Sequence, residues 1–299
     1  GGIGSAVSVL VEKCRQLNPN CHIAVLSIIP GIDESFYNQV NAYYGLARLL
    51  EDNERKTADL VIALHYDRFK TLRGVGGGGQ ELVSDSLLAA VSNLFINNMS
   101  PQYITEMTRI NQSIGIKLVI PCLALGRSME IFDSVKNVLE STIAYPANNI
   151  SKQKVLTCHL LLRVPGRLRQ NFGEESINEH LWRLVRHHLP GVKAASSSIT
   201  YSNAEHDRVE ACILLGGDSA ISALFSNDTK LKEFREELEI QLSRQTYGLE
   251  QGSLQKAADI IAKYDLALDQ LRNERSGEEP RPANPDPGFP ITPQLASHA

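Results

Sequence analysis

The sequence lacks long hydrophobic runs, any excess of basic charge and any paired arrangement of cysteines. No apolar run approaches the roughly 18 residues of a membrane-spanning helix, so no membrane partner is expected. The formal charge is −4 and the isoelectric point lies near 6.1, which argues against a basic surface for direct nucleic-acid binding. The five cysteines (Cys14, Cys21, Cys122, Cys158 and Cys212) are odd in number and scattered, with no C-x-x-C pair. Three of them lie in or beside apolar runs, which suits reduced thiols in buried strands and a cytoplasmic location. Aromatic residues make up only 6%, against 42% apolar and 21% charged, an ordinary balance for an α/β protein. A chain of 299 residues buries a sizeable core and suggests two domains.

What is present is an alternation of helical and strand-like periods. Val7, Leu10, Val11 and Cys14 fall at helical spacing over residues 6–17. The run "HIAVLSIIP" predicts a buried strand ended by Pro30, "SFYNQVNAYYGLARLLED" a helix, and residues 59–64 a second buried strand. The block "RGVGGGG" then reads as a loop before the helix "ELVSDSLLAAVSNLFINN". This is the pattern of a parallel sheet with helices on both faces. After "NNMSP" the pattern restarts, with Pro101 in the first turn of a helix through "QYITEMTRINQS". The strand "IKLVIPCLAL", the helix "EIFDSVKNVLESTIA", the strand "KVLTCHLLLRV" and the helix "SINEHLWRLVRHHL" follow. Two further runs, "AASSSITYS" and "RVEACILLGG", are joined by the polar "NAEHD" and predict a hairpin.

From Asp228 to about Arg275 the chain is charged and helical, with a break near Gly248 and Gly252. Leu254, Ala257, Ile261, Tyr264, Leu268 and Leu271 form one apolar stripe there. The Pro-rich end, "SGEEPRPANPDPGFPITPQLASHA", predicts a disordered tail.

The chain opens on "GGIGSA". Gly1, Gly2 and Gly4 let backbone N–H groups crowd together, and Ser5 adds a hydroxyl where a helix begins. That is the build of an anion site. Such loops follow a buried strand, so an earlier part of the fold is expected to be missing from this sequence. The order of glycine loop, helix, two strands, long central helix, Asn-bearing loop and second α/β layer resembles the tubulin/FtsZ superfamily of filament-forming GTPases. The resemblance covers nearly the whole chain.

"GGIGSA" is similar to the later positions of that family's phosphate signature, G-G-G-T/S-G-S/T-G, with Ile3 replacing a hydroxyl residue and Ala6 the last Gly. "LHYDRFKTL" sets Tyr66 at the family's guanine-contacting Asn, with Asp67 beside it. Tyrosine can stack on a base but cannot make the amide's paired hydrogen bonds. In "SDSLLAAV", Asp85 matches the acid by which bacterial members read guanine. A carboxylate accepting from the guanine N1–H and exocyclic amine favours G over A. Glu34, four residues after Pro30, matches a ribose-contacting acid. The stretch from "SINEHLW" to "CILLGG", with its N-x-x-x-D turn, follows the bacterial pattern. The long charged C-terminal helix and tail are closest in layout to plasmid- and phage-encoded partitioning members.

The resemblance implies an α/β fold of several parts. Residues 1–80 would be the C-terminal part of a partial Rossmann-like GTPase domain and 81–98 the central helix. A second α/β (activation) domain over 99–225, C-terminal helices over 228–275 and a disordered tail over 276–299 would follow. Gly1, Gly2, Gly4 and Ser5 would cradle the phosphates of GTP, Glu34 would meet the ribose, and Tyr66 and Asp85 the base. Mg²⁺ would be held mainly by phosphates and waters. Filaments would grow head to tail by self-association, in plasmid segregation or cell division, with an adaptor protein bound through the C-terminal helix or the tail patch "GFPITP".

Hydrolysis in the family uses an N-x-D-x-x-D loop that inserts acids against the neighbouring subunit's nucleotide. Here "NNMSPQYITEM" is shorter, Gln102 stands at the first acid, and Glu106 is the carboxylate that remains. A glutamine can position an attacking water. The same departure leaves open a tubulin-like module that assembles without catalysis. A further alternative is a short-chain dehydrogenase, which carries a G-I-G run and the Y-x-x-x-K spacing found from Tyr66 to Lys70. In that family, however, the tyrosine lies far later in the chain. The glycines at 76–79 lack a following Lys-Ser or Lys-Thr and read as a connection. His180, His187 and His188 share one helix and read as solvated rather than metal-binding, while Trp182 and Leu184 are expected to pack on the sheet.

Overall fold

A computed structural model of the protein describes residues 2–31, 34–50, 58–66, 95, 99–123, 130–140, 154–170, 174–202, 209–217, 229–244, 255–259 and 262. Apart from Phe95, the expected central helix over 81–98 lies outside the described residues, as does the expected tail over 276–299. The described elements begin α1 (Gly2–Leu17), β1 (Ala24–Ile29), α2 (Phe36–Leu50), β2 (Leu60–His65) and α3 (Pro101–Ile114). They continue β3 (Leu118–Leu123), α4 (Ile131–Glu140), β4 (Thr157–Pro165), a 3₁₀ turn (Gly166–Gln170) and α5 (Glu174–His188). The last are β5 (Ala194–Ser202), β6 (Glu210–Gly216) and α6 (Thr229–Arg244). The chain is mixed α/β, as the alternation of periods implies.

All six strands belong to one sheet in the order β1-β2-β3-β6-β4-β5. β1 and β2 run parallel from Ala24↔Leu60 to Ile29↔His65. β2 meets β3 in parallel through two residue pairs, Val61↔Leu118 and Ile62↔Val119. β6 lies between β3 and β4 and is antiparallel to both. β5 pairs in parallel with β4 along nine residues.

The position of β4 follows from its composition. Eight of the nine residues in "TCHLLLRVP" are buried, as a strand covered on both faces and bonded on both edges requires. This also corrects the expected hairpin: "AASSSITYS" and "RVEACILLGG" are not neighbours, because β4 lies between them. The polar turn "NAEHD" makes a hairpin locally plausible, but the apolar β4 takes the central place and the serine-rich β5 goes to the edge.

The two faces of the sheet are covered differently. One core gathers Val11 of α1, Leu46 of α2, Val135 of α4, Leu181 of α5 and Leu238 of α6 over Val61, Ile120, Leu160 and Ile213. The expected packing of Trp182 and Leu184 is seen on this side. The opposite core sets Tyr103 and Met107 of α3, with Phe95, over Leu60, Ile62, Val119, Leu161 and Leu214. Cys122, Cys158 and Cys212 are free thiols buried in strands.

Helix α3 is delimited by its caps. Ser100 Oγ accepts the Tyr103 N–H, Pro101 occupies the first turn, and Gly115 ends the helix at φ 78°. Gly217 closes β6 at φ 132°, where a Cβ would press into the carbonyl oxygen of Lys154 and the amide nitrogen of Leu156. Both neighbours are backbone, so neither can swing away. Gly217→Ala should therefore lower stability by on the order of 3 kcal/mol, read as a reduced urea midpoint at unchanged slope.

Candidate functional site

The C-terminal edge of β1 and β2 is where an open parallel sheet ordinarily receives a ligand. Helix α1 is anchored at the other edge. Arg15, in its last turn, pairs with Asp59 at 2.8 Å just before β2, and the same carboxylate accepts the Ile23 N–H at 2.7 Å. A helix of 16 residues is about 24 Å long, so its first turn reaches toward the C-terminal edge. There its leading N–H groups have no partner within the helix.

Gly2, Gly4 and Ser5 are helical, whereas the sequence suggests a loop up to Ala6. The first turn tolerates glycine because its amides are not yet part of the hydrogen-bond ladder. Gly1 and Asp85 lie outside the described residues.

Glu34 and Tyr66 sit at this same edge. Glu34 follows β1; its carboxylate accepts from Asn38 Nδ2 at 3.0 Å, and its carbonyl oxygen accepts from Gln39 Nε2 at 3.0 Å. The side chain is exposed. Tyr66 directly follows the last residue of β2 and is half-buried. The fold thus brings α1's first turn, Glu34 and Tyr66 to one edge.

Gln102 and Glu106 stand on α3, which covers the face of the sheet opposite α1. They lie one turn apart on that helix. Gln102 is exposed, whereas Glu106 is half-buried, and burial pushes its carboxyl above the usual range. That makes the carboxylate a stronger base than an exposed glutamate's. Among the described residues no group of His, Cys, Asp and Glu is arranged to hold a metal ion, and His187 and His188 meet edge to face at 5.1 Å. No helix among the described residues is long and apolar enough to cross a membrane.

Beneath α3 runs a chain of buried polar side chains that periodicity does not reveal. Thr157 Oγ1 donates to Asn111 Oδ1 at 2.8 Å, and Asn111 Nδ2 approaches His159 Nε2 at 2.7 Å. His159 Nδ1 meets Ser196 Oγ at 2.7 Å, and Ser196 donates to Tyr103 Oη at 3.1 Å. Asn111, Thr157 and His159 are wholly buried, with Ser196 and Tyr103 nearly so. Burial lowers the His159 pKa to about 3. A sequence clue existed: Asn111 falls on the same stripe of α3 as Tyr103 and Met107, where an apolar residue is the norm.

No protein-family model and no curated protein matches the sequence. Among solved structures the chain is similar to CetZ from Methanosaeta thermophila, a protein of the tubulin/FtsZ family. The two share 13% identity over 91% of this chain and 70% of that one, with a TM-score of 0.53. The fold is tubulin-like.

Asp59 ties this architecture together, since Gln112 of α3 also reaches its carboxylate at 3.4 Å. Arg15 and Asp59 are each less than one-fifth exposed, so removing the carboxylate takes the short ion pair from a largely buried guanidinium, which keeps its contact with the Cys21 carbonyl oxygen at 3.4 Å, and takes the acceptor from the Ile23 amide. Asp59→Ala should cost about 3 kcal/mol. Chemical denaturation would show it, and Asp59→Asn should recover part of the loss by keeping an acceptor for the amide.

Proposed function

We propose that the protein is a tubulin/FtsZ-like cytoskeletal GTPase that binds GTP at the C-terminal edge of β1 and β2 and assembles head to tail. The observation that carries this reading is the meeting of α1's amide-bearing first turn, Glu34 and Tyr66 at one edge of a tubulin-like fold. Gly1, Gly2, Gly4 and Ser5 would face the phosphates, Glu34 the ribose, and Tyr66 and Asp85 the base. Mg²⁺ would sit on phosphate oxygens and waters. On this reading residues 1–80 complete a nucleotide-binding domain, 81–98 form the central helix, 99–225 the activation domain, and 228–275 with the tail 276–299 an adaptor-binding end. A cytoplasmic setting and a part in DNA segregation or cell division fit such a filament.

Gln102 and Glu106 would serve the neighbouring subunit's nucleotide by positioning a water. One observation favours a second reading, a filament module without turnover. Gln102 stands at the position of the first acid, and Glu106 is half-buried on α3, so only part of its side chain is open to a neighbouring subunit.

The test is displacement of fluorescent GTP from the protein encoded by the full reading frame, with GDP, ATP and NADH as competitors. GDP should compete while ATP and NADH should not. Glu34→Ala and Tyr66→Ala should each weaken binding about tenfold, or ~1.4 kcal/mol. Displacement by NADH alone would replace the proposal with the dehydrogenase. Glu106→Gln should slow turnover about 100-fold without changing affinity; GTP binding with no turnover in the parent protein would establish the non-catalytic module.

A further inference from the structure

The buried side chains under α3 admit one arrangement of protons. The Met107 carbonyl oxygen accepts one N–H of the Asn111 amide at 2.8 Å, and the Thr157 hydroxyl occupies its Oδ1 at 2.8 Å. The other Asn111 N–H points at His159 Nε2, 2.7 Å away, so that ring nitrogen must accept. His159 therefore carries its proton on Nδ1 and donates it toward Ser196 Oγ at 2.7 Å. Ser196 donates to Tyr103 Oη, whose own proton goes to the Leu160 carbonyl oxygen at 3.4 Å. Turning the Asn111 amide over offers no escape, because it sets oxygen against the Met107 carbonyl and an N–H group against the Thr157 hydroxyl proton. A second proton on His159 consequently faces an N–H instead of an acceptor.

We infer that this chain is a proton-sensitive latch, which holds α3 on β4 and β5 while His159 is neutral and releases α3 when His159 is protonated. The two ends of the latch belong to different layers. Tyr103 and Asn111 come from α3, whereas Thr157 and His159 come from β4 and Ser196 from β5. The helices on the other face are held by an apolar core that contains no part of the chain, so acid loosens one face of the sheet first. This inference does not rest on the nucleotide reading, although α3 is also the helix of Gln102 and Glu106.

The sign follows from burial. Burial lowers the His159 pKa to about 3 from its ordinary value near 6.5. The closed state is therefore favoured fully above pH ~6.5, and that advantage is lost as pH falls from there toward 3. The titratable groups on this face, among the described residues, include Tyr103 and Glu106 of α3, Cys212 of β6 and, farther along the same strands, Arg163 of β4 paired with Glu210 of β6 at 3.4 Å. Cys158 packs into the opposite core, and Arg109 of α3 is exposed. Burial raises Tyr103 and Cys212, so both stay neutral throughout the acid range. Glu106 acts in the opposite sense: its carboxyl is raised by burial, so its protonation on acidification steadies α3 and masks part of the effect.

The experiment is peptide-resolved hydrogen exchange on the full chain between pH 7 and pH 5, corrected for intrinsic exchange. In a Glu106→Gln background the opening constant of α3 should rise about 25-fold for a pKa moving from 6.5 to about 3, and somewhat less in the parent. The opening of α5, on the other face, should stay constant. His159→Gln in the same background should flatten the α3 slope. If that variant does not fold, imidazole ¹⁵N shifts of the parent protein decide: a neutral Nδ1–H ring persisting to pH 5 supports the latch. An Nε2–H tautomer, pH-independent α3 exchange, or α3 and α5 opening together would each overturn it.

Discussion

Strand β4 touches almost no water, so each polar atom on it must find its partner within the protein. Its backbone is satisfied by β6 on one side and β5 on the other. Its side chains pose the harder problem. Thr157 and His159 point toward α3, each wholly buried, and an unmatched group there costs about 1–3 kcal/mol. The covering helix therefore cannot be an ordinary amphipathic one. It must present an amide and a phenol at matching heights, and α3 does so with Asn111 and Tyr103. The order of strands, the edge position of β5 and the composition of α3 all answer to this one buried strand.

The two faces of the sheet consequently differ in how sharply they are specified. The face under α1, α2, α4, α5 and α6 is held by apolar contact, which is strong but tolerant of small displacement. Under α3 the contact is directional. A slip of one turn moves Asn111 by about 5.4 Å along its axis, which breaks its bonds to Thr157 and His159 together. Hydrogen bonds contribute little net stability here compared with the neighbouring leucines, yet they leave α3 one seating. The caps Ser100 and Gly115 fix the helix ends to match.

What could be read from the sequence was whatever has a local cause. The strands and helices from residue 22 to 217 that fall within the described residues follow from apolar period, proline and glycine, and Ser100 with Pro101 announces α3 directly. The hairpin failed because its polar turn is a local signal, whereas competition for the edge of β4 is not. The start of α1 at Gly2 was hidden by three glycines and a serine that argue for a loop. The polar chain was beyond reach for the same reason: Thr157 is 46 residues from Asn111, and Ser196 is 93 from Tyr103. Of the candidate site, Glu34 and Tyr66 were picked out by the family resemblance and the strand reading set them after β1 and β2, whereas the role of Asp59 in anchoring α1 emerged only from geometry.

The separation of Glu34 and Tyr66 from Gln102 and Glu106 bears on mechanism. Glu34 and Tyr66 follow β1 and β2 at their C-terminal edge, whereas Gln102 and Glu106 stand on α3, which covers the face opposite α1. On the proposed reading hydrolysis is a property of a pair of molecules, and in-line attack needs the water held within hydrogen-bond reach of the terminal phosphate. A head-to-tail contact brings one molecule's α3 to another's nucleotide edge without moving either layer. The rigidity of α3 then matters to the pair as much as to the single chain. A helix seated in one register by Tyr103 and Asn111 presents Gln102 and Glu106 at a fixed height, and a misplacement of 1 Å is enough to cost on the order of 100-fold in rate. The buried polar chain that satisfies β4 is thus also the part of the fold that would set the geometry of such a contact.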